Sequence, residues 1–273
     1  METDTGNTGN GAVMKVSEYV GALEEAGLGL AEAAARAGVD AEVPTCPGWR
    51  VRDLLRHTAM IHRWAAKHVV ERHASYQEGD GETGLDGEAL IAHYREGHAA
   101  LVEALRAAPE DLDVWTFLPA TSPLVFWARR QAHETAVHRV DAEATLGAGP
   151  APVAPGFAAD GVSELLAGFH ARDRSRVRAP EPRTLRFRAT DTGDAWTVRL
   201  SELPPATEHH PAGGATDGAA GTGGTGLLAP VDAEAAAPAG TLYLALWNRL
   251  PASALTTTGD PEPLRLWHEL SAV

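Results

Sequence analysis

The 273-residue sequence contains a single cysteine, Cys46, which excludes a disulfide framework within the chain. It is poor in positive charge. Only Lys15 and Lys67 are lysines, and Lys plus Arg number 23 against 37 Asp plus Glu, a formal net charge of −14. A phosphate backbone or an anionic membrane attracts clustered cations, so neither nucleic acid nor membrane is an expected partner. No apolar run approaches the roughly 18–20 residues of a membrane span. The opening METDTGNTGNGAV lacks the charged and apolar regions of a secretory signal, so a cytoplasmic location and a flexible tail over residues 1–14 are expected.

Apolar residues, by contrast, are plentiful, at 44 % of the chain, enough for cores in two domains. Hydrophobic spacing predicts four helices, over about 15–38, 51–72, 88–107 and 123–146, and hence an up-down bundle over residues 15–148. The stretch GAGPAPVAP (147–155) reads as a linker. Beyond it the pattern changes. Residues 157–171 look helical. Leu185, Phe187 and Ala189, then Trp196, Val198 and Leu200, alternate with polar residues around the turn Asp191-Thr192-Gly193-Asp194, a hairpin signature. Thr241–Leu250 is apolar enough for strand or helix, 255–258 reads as a strand, and 263–270 as a closing helix. Residues 211–226, PAGGATDGAAGTGGTG, have low complexity and read as a mobile insertion. The fold class is therefore α+β, with a helical bundle followed by a second domain over 156–273.

The strongest chemical signal lies in RQAHETAVHRVD (Arg130–Asp141). Glu134 and His138 stand four apart and share one helix face, with Asp141 three further on. Such a pair is half of a metal site, or an ordinary solvated ion pair. It is not HExxH, because His133 and His138 are five apart. His57, beside the apolar stripe of the second helix, is the best third ligand. His62 is its rival, and the ~140° turn between the two means that only one should face inward. Cys46 reads as a small packing residue rather than a nucleophile. Trp49, Trp64, Trp115 and Trp127 read as packing, and His133 as a surface or supporting residue.

The segments CPGWRVRDLLRH (Cys46–His57) and WARRQAHETAVHRVDAE (Trp127–Glu143) resemble the mycothiol-dependent maleylpyruvate isomerase family, whose N-terminal domain is a DinB-like metal-binding four-helix bundle. LYLALWNRL (Leu242–Leu250) and TTTGDPEPL (Thr256–Leu264) resemble its sterol-carrier-like C-terminal domain. The resemblance implies an actinobacterial-type enzyme that binds zinc, or another divalent metal, through His57, Glu134 and His138. It implies mycothiol as cosubstrate and a small electrophile as substrate, isomerised or joined to the thiol. It also marks Asp141 and Arg249 as catalytic and makes 241–250 a helix. Thiol-binding residues are not legible.

Overall fold

The computed structural model describes residues 14–147, 149–212 and 228–271. Nearly all of the expected N-terminal tail, and the Gly-rich stretch from 213 on, lie outside the described residues. The chain divides into two compact units, one ending at Pro152 and one beginning at Val153.

The first unit is four helices: α1 (Val16–Ala37), α2 (Val51–Val70), α3 (Gly87–Ala107) and α4 (Pro123–Ala144). Their ends follow local chemistry. Gly38 closes α1 at φ 81°, a conformation that costs other residues a steric clash. The Asp53 carboxylate accepts from the Arg50 amide at the start of α2. Ser122 caps α4 through Val125 N at 3.2 Å, and Pro123 takes the first position, where no amide hydrogen is needed.

The order of the helices corrects the up-down expectation. Arg56 reaches the Leu85 carbonyl just before α3, and Arg63 reaches His93, so contacts climb α2 and α3 together and the two run parallel. Tyr19 meets His133 and Glu25 meets Arg139, so α1 and α4 also run parallel. His57 and Trp64 meet Glu134 and Trp127 in reverse order, making α2 and α4 antiparallel. The topology is up-down-down-up. The link between α2 and α3 must return along the bundle. A helix of this length is about 30 Å, and an extended chain of the link's length spans about 50 Å. A long polar link can join antiparallel or parallel neighbours, so its composition does not reveal the direction.

Leu30, Val51, Leu54, Leu55, Leu90 and Tyr94 form part of the bundle core, with Cys46 and Trp49 packed against it. Leu28 of α1 points away from this core and is exposed. Helix α4 is buried on nearly every side between Leu124 and Ala142, although it carries Arg130, Gln131, His133, His138, Arg139 and Asp141 there. Burying so many polar groups on one helix is costly unless they find partners, and it marks α4 as the functional helix.

The second unit is a five-stranded sheet with helices. Helix α5 (Pro155–Ser163) continues as a π-helical stretch (Glu164–Phe169), and strands β1 (Arg183–Ala189) and β2 (Ala195–Leu200) form the expected hairpin. The hairpin turn holds Gly193 at φ 82°. Strands β3 (Ala206–His210) and β4 (Ala233–Ala237) are additional to the sequence reading. Helix α6 (Ala239–Leu246), strand β5 (Thr256–Gly259) and helix α7 (Glu262–Leu270) complete the unit. The strand order is β3-β2-β1-β4-β5, with β1 and β4 parallel and the other pairs antiparallel. Phe187 packs on Trp267 of α7, and the Trp196 indole donates to Ser163 Oγ at 2.8 Å, which seats helices on one face. Of the segment 241–250, which was open between strand and helix, the part to Leu246 is helical and the rest is a turn.

Candidate metal centre

The structure brings His57, Glu134 and His138 together. One ligand atom from each lies within 4.8 Å of the others. His57 comes from the first two turns of α2, and Glu134 and His138 from successive turns of α4, the antiparallel packing placing them at one level. Glu134 Oε1 stands 3.3 Å from His57 Nε2 and 3.3 Å from His138 Nε2. Two nitrogens thus converge on one carboxylate oxygen, at distances longer than the usual ~2.9–3.0 Å for such a hydrogen bond. They fit a shared cation better: metal–ligand lengths of about 2.0–2.2 Å at a tetrahedral angle separate two ligand atoms by about 3.4 Å. The donor set, two imidazoles and one carboxylate, is a catalytic rather than a structural one, since it leaves a fourth position.

The residues behind these three fix their orientation. Asp141, fully buried, accepts from His138 Nδ1 at 2.8 Å and from Thr45 Oγ1 at 2.6 Å. That hydrogen bond commits the Nδ1 proton and leaves Nε2 to face Glu134. Burial would lower the His138 pKa, but the Asp141 hydrogen bond and the Glu134 carboxylate outweigh it and raise it to about 9. Burial would raise the Glu134 carboxyl. Hydrogen bonds from His138 and His57, with the charges of His138 and Arg130, hold it well below the usual range instead. Arg130 completes the set: its Nη2 lies 3.2 Å from Glu134 Oε2.

The loop before α2 covers the site. Val43 N bonds Trp49 O, Cys46 N bonds Val43 O and Trp49 N bonds Cys46 O, with Gly48 at φ 87° making the tight return possible. This closed turn sends Thr45 to Asp141. It also places the Trp49 ring 5.3 Å from that of His57 and 6.3 Å from that of His138. Thr45, Trp49 and Arg130 are the residues that the sequence reading passed over in this role. Arg130 carried a usable signal, standing one turn before Glu134. Thr45 carried none, since 96 residues separate it from Asp141.

The other candidates fall elsewhere. His62 is outside the ligand set. Fully buried, it meets Thr135 Oγ1 at 2.8 Å, and burial, aided by His98, lowers its pKa to about 3. The turn between His57 and His62 separates them as expected, but the inward one is His62, while His57 sits at a partly exposed rim. His133 is fully buried against Tyr19, not at the surface. Trp64, Trp115 and Trp127 form an aromatic cluster with Phe117 and His68, Trp64 meeting Trp115 and Trp127 edge to face. In the second unit, Arg249 follows Asn248, whose φ of 59° turns the chain after α6, and its Nη1 donates to the Trp247 carbonyl at 2.7 Å. Among the described residues no helix is long and apolar enough to cross a membrane.

A comparison with curated proteins gave no match. Among solved structures, the mycothiol-dependent maleylpyruvate isomerase is similar at 13 % identity and a TM-score of 0.58, over 90 % of this chain and 95 % of that one. A histidine-to-alanine mutant of that enzyme is similar at 12 % identity, with the same TM-score and coverage. These likenesses show the α+β fold. The family model described as the mycothiol maleylpyruvate isomerase N-terminal domain matches residues 20–143, and the one described as the MDMPI C-terminal domain matches residues 156–265. With both domains matched in order over most of its length, the chain belongs to the mycothiol-dependent maleylpyruvate isomerase family, a family of enzymes.

Proposed function

We propose that this chain is a zinc-dependent enzyme that activates mycothiol for addition to a small electrophile, as a maleylpyruvate-type cis–trans isomerase or as a thiol S-transferase. The single observation that carries the reading is the convergence of His57 Nε2, Glu134 Oε1 and His138 Nε2. The family membership supports the thiol, and the site's position at a partly exposed rim supports access for one.

A divalent metal held there would supply the positive charge that draws a thiol, with a free pKa of about 8.5, into its thiolate form near neutral pH. The protein's own residues do the rest. His57, Glu134 and His138 hold three ligand atoms. Asp141, itself held by Thr45, fixes the His138 ring. It acts as a positioning residue, since it touches the far nitrogen and not the side facing Glu134. Arg249 is assigned to the substrate's carboxylate: its planar fork suits two oxygens at once, and the turn after α6 gives it a fixed base. In the isomerase, sulfur adds to the conjugated cis double bond, the carbon–carbon bond rotates, and the thiol leaves unchanged. In the transferase the carbon–sulfur bond stays and a leaving group departs or an epoxide opens. Both share the first step, so the site does not separate them.

Incubating the zinc-loaded protein with mycothiol and either maleylpyruvate or a panel of epoxides and alkyl halides, with mass spectrometry and NMR of the products, tests this. Released thiol with a trans isomer identifies the first activity, and thiol retained on product the second. No product from any electrophile, with zinc bound, would leave a non-catalytic metal-binding protein.

A further inference from the structure

Glu134 uses its two oxygens differently. Oε1 faces both imidazoles at 3.3 Å, whereas Oε2 is taken by Arg130 Nη2 at 3.2 Å. Arg130 is 3 % exposed and sits one helical turn before Glu134, so water does not compete for its guanidinium and the helix itself sets its reach. A carboxylate beside a small divalent cation can bind through one oxygen or both. If both bind, the second oxygen takes the place next to the first, and the position left by three protein ligands is filled or crowded. Here, swinging Oε2 toward the two imidazoles would break its 3.2 Å ion pair with the buried Arg130 guanidinium. Thr45 and Asp141 perform the matching service for His138, so each of the two α4 ligands is held from behind by a group of its own.

We propose that Arg130 is a positioning residue that keeps Glu134 to a single coordinating oxygen and so keeps open the position that the thiol sulfur occupies. The inference rests on the metal-thiol reading above. Charge points the same way. Glu134, Asp141 and a thiolate together carry three negative charges against two on the metal, and the Arg130 cation balances the excess in a largely buried setting.

The test is cobalt(II) substitution in the full-length protein, read by visible absorption, with metal content measured alongside. Four-coordinate cobalt absorbs severalfold more strongly than five-coordinate cobalt. Wild type should show the strong band. Arg130→Gln should keep about one cobalt per chain but lose severalfold in band intensity, and should bind a simple thiol such as 2-mercaptoethanol severalfold more weakly. Arg130→Lys, which retains a cation one turn from Glu134, should recover the band. Arg130→Met is a second neutral replacement, so that poor folding of one variant does not decide the matter. A wild-type band and thiol affinity in the folded neutral variants would overturn the inference, as would folded neutral variants that hold no cobalt. Wild type that takes up no cobalt would instead remove the metal reading, and this inference with it.

Discussion

Two histidine clusters share helices α2 and α4, and they behave in opposite ways. One holds His57 and His138 around Glu134. The other holds His62 and His98, with ring centroids 5.5 Å apart, beside Tyr94 and Thr135. In the first, carboxylates face the imidazoles, and His138 is raised to about 9. In the second, the partners are a threonine hydroxyl and the Leu23 carbonyl. Burial then governs, lowering His62 to about 3, lowering His98 and raising Tyr94. Glu134 and Thr135 are neighbours in sequence, so a single helical step separates a site that gathers positive charge from one that excludes it. What raises a buried histidine here is the carboxylate opposite it, and depth in the core without one lowers it.

Metal content should separate the two clusters most visibly. His138→Ala and Glu134→Gln should fall from about one zinc per chain to near zero by elemental analysis, and lose thiol-dependent turnover. His62→Gln should keep its metal, and a variant that loses it would erase the distinction. Next in size is Asp141→Asn. Weakening the bond behind a metal-ligating histidine typically costs 10–100-fold in affinity, so a chelator competition should show a loss of about that order, with Thr45→Val smaller and in the same direction.

Acid sharpens the contrast from the other side. His62 has a folded pKa of about 3, below its ordinary 6.5. The unfolded chain therefore binds a proton between these values that the folded chain refuses. The stabilisation is fully present above pH 6.5 and is lost as pH falls toward 3, at roughly 1 kcal/mol per pH unit for this one group. Urea titrations across that range, on metal-free protein, should show a shallower acid loss in His62→Gln. Smallest is the effect at Gly27, where an added Cβ would lie 2.1 Å from His98 Nε2. Gly27→Ala should lower stability by about 1–3 kcal/mol through overpacking, measured by thermal melting, and leave metal content unchanged.

Helices α1, α2 and α3 were legible because each has an apolar period, while α4, buried on nearly every side, was legible by its ends at Pro123 and Gly147. Their directions were not, since a polar link between α2 and α3 reads alike for antiparallel and parallel neighbours. In the second unit β1 and β2 alternate cleanly. Strand β3, ATEHH, is a largely exposed edge with no apolar face to betray it. Strand β4, AEAAA, is mostly buried but built of alanine, a helix former, and only the sheet around it makes it a strand. At the site, spacing exposed Glu134 and His138, both on α4. His57 was the leading third ligand from its place beside the apolar stripe of α2, with His62 as its rival, and the family resemblance decided between them. Thr45 and Trp49 needed the fold, since a closed turn sets their partners, whereas Arg130 stands one turn before Glu134 on the same helix and was open to a spacing argument.

His57, Glu134 and His138 are proposed to hold one divalent metal with a position open to thiol sulfur. Titrating cobalt-loaded protein with mycothiol measures this directly. The expected result is a sulfur-to-cobalt charge-transfer band in the near ultraviolet that saturates at one thiol per metal, with no such band in His138→Ala. A fully loaded protein whose spectrum does not change with thiol would contradict it.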